Sequence, residues 1–143
     1  MTVRRSFRSD SPEQTEAVGE TIGAGLEPGA VVLLVGDLGA GKTTFVRGLA
    51  KGLGAEPDEV SSPSFSLIQH YVGRHTLHHL DLYRLDVAEI DDLGLDELLD
   101  RPDVVVIEWA ERLPRPIAGA LEVRIEDADA DADARVLVVV EPD

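Results

Sequence analysis

The chain predicts a mixed α/β fold: a sheet with parallel central strands, an antiparallel hairpin and edge strands, with helices on both faces. Three observations predict it. Two wholly apolar runs of strand length, Val31–Val35 and Val104–Ile107, read as parallel strands buried on both sides. A glycine-rich loop leaves the first run and opens a helix in which Phe45, Val46, Leu49, Ala50 and Leu53 recur at helical spacing. Alternating apolar residues over 65–72 and 75–82, separated by Gly73-Arg74, mark the hairpin. The loop, Gly36-Asp37-Leu38-Gly39-Ala40-Gly41-Lys42-Thr43, fits G-x-x-x-x-G-K-[ST] at every fixed position. Strand, glycine loop and helix in that order make the sheet one of the P-loop NTPase kind.

The residue types in the loop dictate its chemistry. Gly36, Gly39 and Gly41 let the backbone curl so that successive N–H groups face a polyphosphate. The helix starting near Lys42 adds the positive end of its dipole. Lys42 supplies a point charge for the β- and γ-phosphates, and the Thr43 hydroxyl suits the coordination shell of Mg²⁺. The bland alternative is a glycine turn capped by a helix with Lys42 merely solvated, and it leaves the agreement of motif and context unexplained.

At 143 residues the chain predicts one domain, 1–143, with enough length to bury a core. Its 28 acidic and 13 basic residues give a formal charge of −15. Such a surface repels nucleic acid and anionic membranes unless a basic patch intervenes, and no basic run is present. There is no cysteine, which excludes disulfides and thiolate metal sites. MTVRRSFRSD carries no apolar signal core, and no run approaches membrane-spanning length. The expectation is a cytoplasmic protein with no membrane role.

In chain order, Val3–Phe7 predicts a short edge strand. Ser11 then caps a helix, Pro12 takes its first position and Gln14 completes a capping box. Val18, Ile22 and Leu26 form its apolar stripe, and Glu27-Pro28-Gly29 turns the chain into the first apolar strand. Residues 88–100 predict a helix broken at Gly94 and stopped by Arg101-Pro102. Leu121–Ile125 and Val136–Val140 are two further strands, joined by the low-complexity linker EDADADADAR, which reads as a solvated loop.

Ligands of open α/β sheets bind beyond the carboxyl ends of the strands. Two carboxylates fall at such ends: Asp81 in HLDLYR and Glu108 in VVIEWAE. Glu108 matches the acidic residue that holds Mg²⁺ beside a phosphate loop, although Asp is the usual choice. Asp81 suits orienting water or completing the metal shell, or else a simple ion pair with Arg84. His70, His75, His78 and His79 all fall within ten residues. A zinc site there is disfavoured, because on an extended strand His75 and His78 point to opposite faces. Trp109, the only tryptophan, either packs near the ligand or closes the core.

Four motifs together, GDLGAGKTTFVRGL, VSSPSFSL, HLDLYRL and IEWAERL, resemble the TsaE (YjeE) family in order and spacing over roughly residues 10–140. The resemblance implies an ATPase of bacterial tRNA threonylcarbamoyladenosine biosynthesis that binds ATP and Mg²⁺. By that resemblance, Gly39, Ala40, Gly41, Lys42, Thr43 and Thr44 hold the phosphates, Thr43 and Glu108 hold the metal, and Asp81 lies near the γ-phosphate. Thr15 and Arg135 resemble residues around the base. Ser62-Pro63-Ser64-Phe65 is similar to a switch loop, with Ser64 where the family has Thr. The implied partners are TsaB and TsaD, which install threonylcarbamoyl on adenosine 37 of tRNAs reading codons that begin with A. The TsaE-like subunit would couple its ATPase cycle to that complex and meet tRNA only through it.

Two other classes use the same loop. A small-molecule kinase needs an acceptor pocket and an arginine-bearing lid. Here the segments between strands are short, and Arg84, Arg101 and Arg112 are scattered. A nucleotide-gated binding protein would use ATP to set the 62–65 loop with negligible hydrolysis. No N-K-x-D guanine reader is present, so the expected nucleotide is ATP.

Overall fold

The structure is a computed structural model describing residues 4–36, 41–56, 68–83, 85–91, 94–128 and 134–141. A seven-stranded sheet organises it, in the order β1-β7-β6-β2-β5-β4-β3. The strands are β1 (Arg4–Ser9), β2 (Val31–Val35), β3 (Ile68–Tyr71), β4 (Leu77–Asp81), β5 (Val104–Glu108), β6 (Leu121–Asp127) and β7 (Arg135–Val140). β2 runs parallel to both β5 and β6, and β4 runs parallel to β5. β1, β7 and β3 pair antiparallel at the two margins. The expected fold class holds, and both apolar runs lie at the centre. Every residue of β5 is buried, as a strand covered on both faces requires.

Helices α1 (Pro12–Ala24) and α2 (Lys42–Gly52) cover one face. The short α3 (Val87–Asp91) and α4 (Leu95–Leu99) cover the other with the segment after β5. Alternation along the strands divides the core accordingly. Val32, Leu34, Val104 and Val106 face α1 and α2, while Val31, Val105 and Ile107 face the opposite cluster. The predicted helical stripe of α2 is entirely buried at Phe45, Val46, Leu49 and Ala50, and Leu53 is buried just beyond it.

The N-terminus of α1 is capped as expected, with Ser11 Oγ accepting from the Gln14 amide at 3.2 Å. The reciprocal bond closes one residue earlier than a capping box would place it, on the Asp10 amide at 2.8 Å. Several expected boundaries shift: β1 runs on to Ser9 rather than Phe7, and β6 to Asp127 rather than Ile125. The helix ends at Ala24 rather than reaching Leu26, because the Gly25 N–H turns back to Ile22 O and Leu26 packs from the turn. The second hairpin strand starts at Leu77, so His75 lies in the turn and not on a strand; residues 65–67 of the first are outside the described residues. The break at Gly94 is real: its φ of 73° separates α3 from α4.

α1 and α2 cross with almost no side chain between them. A Cβ at Gly19 would lie 2.4 Å from Phe45 O, and one at Gly48 would lie 2.1 Å from Glu16 O. This backbone contact fixes the helix that follows the glycine-rich segment against the helix that precedes β2.

Candidate functional site

β2 ends at Val35, and α2 begins at Lys42 with Gly41 as its cap at φ 99°, a left-handed conformation open to glycine at little cost. Gly39 and Ala40 lie outside the described residues. Lys42 is 6% exposed despite its charge, because its Nζ donates to Gly36 O at 2.7 Å, closing the loop across its own ends. The same ammonium sits 3.7 Å from the centroid of the Trp109 ring, a cation–π contact. Trp109 thus packs against the loop lysine and also against the apolar cluster on the α3–α4 face. It does so from a left-handed backbone, φ 58°, a conformation that costs a non-glycine residue on the order of 1 kcal/mol. The Tyr83 ring covers its other flank, with centroids 4.8 Å apart. Thr43 and Thr44 follow in the first turn of α2, both half-buried.

The two carboxylates meet. Parallel pairing sets Asp81 of β4 directly across from Glu108 of β5, and Leu34 of β2 across from Glu108. Asp81, Glu108 and Lys42 thus converge at the carboxyl ends of β4, β5 and β2. Asp81 Oδ1 accepts the Tyr83 amide at 2.9 Å. Burial, with the Glu108 charge adding to it, pushes the Asp81 carboxyl above its ordinary value, against the Tyr83 N–H, Lys42 and His79. Arg84, the alternative partner considered for Asp81, lies outside the described residues. Glu108 is 3% exposed, and its Oε2 accepts from Nε2 of the fully buried His79. The donors at this end are a hydroxyl and two carboxylates, hard oxygen ligands of the kind Mg²⁺ takes.

On the other side of the loop, Thr15 and Arg135 come together through a residue that sequence reasoning missed. Ser9 ends β1, pairs in register with Arg135 of β7, and is fully buried. Its hydroxyl donates to Ser11 O at 2.8 Å and lies 2.7 Å from Thr15 Oγ1. A serine has one O–H, so Thr15 is the donor to Ser9. The Thr15 methyl lies 3.8 Å from where a Cβ on Gly41 would be, so Thr15 borders the start of α2 with carbon. Arg135 bonds Ala134 O at 3.0 Å and Asp127 at 3.4 Å.

The four histidines form no metal cluster: among the described residues no group of three or more His, Asp or Glu is placed to hold an ion. His78 bonds Asp103 at 2.7 Å and His70 at 2.6 Å on the opposite face from His79. The switch-like segment 62–65 lies outside the described residues. Among those described, no helix is long and apolar enough to cross a membrane.

A family model described as "Threonylcarbamoyl adenosine biosynthesis protein TsaE" matches residues 9–136. The tRNA threonylcarbamoyladenosine biosynthesis protein TsaE of Treponema pallidum is 47% identical over 106 residues, covering 73% of this chain and 78% of that protein. The protein of the same name from Bacillus subtilis is 45% identical over 114 residues, covering 76% of this chain and 71% of its own. The crystal structure of Bacillus subtilis YdiB superposes with a TM-score of 0.79 at 34% identity, over 100% of this chain and 88% of that one.

Proposed function

The chain belongs to the TsaE family, and from that premise we propose that it serves tRNA threonylcarbamoyladenosine biosynthesis as a subunit that binds and hydrolyses ATP. The observation that carries the ATPase reading is the registered pair Asp81–Glu108 at the strand ends, with Asp81 within the electrostatic reach of Lys42. A phosphate loop beside an acidic strand tip is the arrangement that phosphoryl chemistry needs.

In this reading the amides of Gly39, Ala40, Gly41 and Thr44 and the α2 dipole receive the phosphates. Lys42, held ready by Gly36 O and the Trp109 ring, turns its charge onto the β- and γ-phosphate oxygens. Thr43 and Glu108 would hold Mg²⁺, which neutralises charge on those oxygens when bound. Asp81 accepts a hydrogen bond from the attacking water, and its raised pKa brings it closer to taking that proton. Thr15 and Arg135 line the base side of the loop.

The partners are TsaB and TsaD, with tRNA met through the complex in the cytoplasm. A net charge of −15 argues against this chain gripping tRNA alone and suits contact with a partner protein. Phosphate release from ATP and Mg²⁺, with and without TsaB and TsaD, tests the reading. Release should be weak alone and rise with the partners, and Glu108→Ala should abolish the rise while ATP still binds. Equal release in Glu108→Ala, or no response to the partners, would overturn it.

A further inference from the structure

We propose that His79 is a positioning residue for Glu108: it holds one carboxylate oxygen so that the other is presented to the metal. This rests on the ATPase reading above. His79 is fully buried, as is almost all of Glu108, and a buried carboxylate without a donor is strongly disfavoured. His79 sits two residues before Asp81 on β4, so both side chains leave the strand on the face of α2. From there Nε2 reaches diagonally across to Glu108 Oε2. A carboxylate only accepts, so Nε2 is the donor in this bond.

The ring is itself held from behind. The Tyr71 hydroxyl stands 3.3 Å from His79 Nδ1, and the same hydroxyl donates to Gln69 Oε1. Tyr71 is buried in β3, the strand antiparallel to β4. A connected set of side chains thus runs from β3 through His79 to Glu108. It holds the ring plane in the way that outer partners fix ligands of metal sites. None of these contacts involves the phosphate loop, so their loss should act on the metal and not on the nucleotide.

Two substitutions separate this role from simple core packing. The amide nitrogen of His79→Gln falls near the position of Nε2 and can still donate to Glu108, whereas that of His79→Asn falls near Nδ1 and cannot reach it. Calorimetric ATP binding would be followed for each protein as Mg²⁺ is raised from zero. His79→Gln should stay within about threefold of the parent in half-saturating Mg²⁺, and His79→Asn should need ~10–100-fold more, with Mg²⁺-free binding equal in both. If the two variants behave alike, whether both normal or both impaired, or if Gln is the worse, His79 does not position Glu108. If the parent protein itself shows no Mg²⁺-dependent ATP binding, the ATPase reading falls and this assignment falls with it.

Discussion

On one face of the sheet α1 and α2 meet backbone to backbone, whereas on the other α3 and α4 rest on the strands through Ile90 and the leucines of α4. The first pair spans 13 and 11 residues, and its glycines leave no room for even a methyl group. The second pair spans five residues each, is separated by the left-handed Gly94, and buries no residue of α4 completely. In the proposed ATPase reading this difference serves the site: the interlocked face carries Lys42 and orients the start of α2, where an error of an ångström would misplace the phosphates. The lighter face carries Trp109, whose ring lies against the loop lysine and in turn meets Tyr83.

The largest effect should come from breaking the interlock. Gly48→Val would drive a branched side chain into the backbone of Glu16 and should cost at least about 3 kcal/mol in urea unfolding, or abolish the fold. On the lighter face, Leu98→Ala removes a half-buried side chain and should cost only about 1 kcal/mol. It should leave ATP affinity unchanged. A Leu98→Ala loss as large as that of Gly48→Val would erase the contrast between the faces.

Titration sharpens the same comparison on a smaller scale. Asp81 lies on the α2 face with its pKa raised, so its ionisation opposes folding. Stability associated with it is present below the ordinary carboxylate value of 3.8 and lost as pH rises through the raised one. Asp81→Asn should therefore raise the thermal midpoint at pH 7 while lowering ATP turnover, and the gain should shrink as pH falls toward 3.8. His70 faces the other way, against His78, and its pKa is lowered by burial, by His78 and by Arg101, with Asp103 opposing. Its contribution is present above the ordinary value of 6.5 and lost as pH falls through the lowered one. His70→Gln should flatten that acid-side loss by a small margin, read from thermal midpoints between pH 7.5 and 5.

The strand and helix flanking the glycine-rich loop, the capped start of α1 and the buried β5 were legible because each is a local pattern of period or cap. Asp81 and Glu108 could be placed at strand ends for the same reason. Their meeting could not be read locally, since it depends on β4 lying parallel to β5. The His79–Glu108 bond spans 29 residues of chain, and His79 in isolation was one of four clustered histidines. Ser9 was hidden because its partners come from β1, β7 and α1 at once. Helix α1 read two residues too long because Leu26 continues the apolar spacing from a turn, where packing and not periodicity places it.

Trp109 offers the most direct measurement, because it is the only tryptophan and its ring touches Lys42. Its fluorescence would be titrated with ATP in the presence of Mg²⁺, in the parent protein and in Lys42→Ala and Thr43→Ala. A phosphate at the loop draws Lys42 off the ring, so the parent should give a saturable change. Lys42→Ala should lose affinity by tenfold or more, about 1.4 kcal/mol, and Thr43→Ala should lose the Mg²⁺ dependence alone. A parent signal that ignores ATP, or that saturates identically without Lys42, would contradict the placement of the nucleotide on this loop.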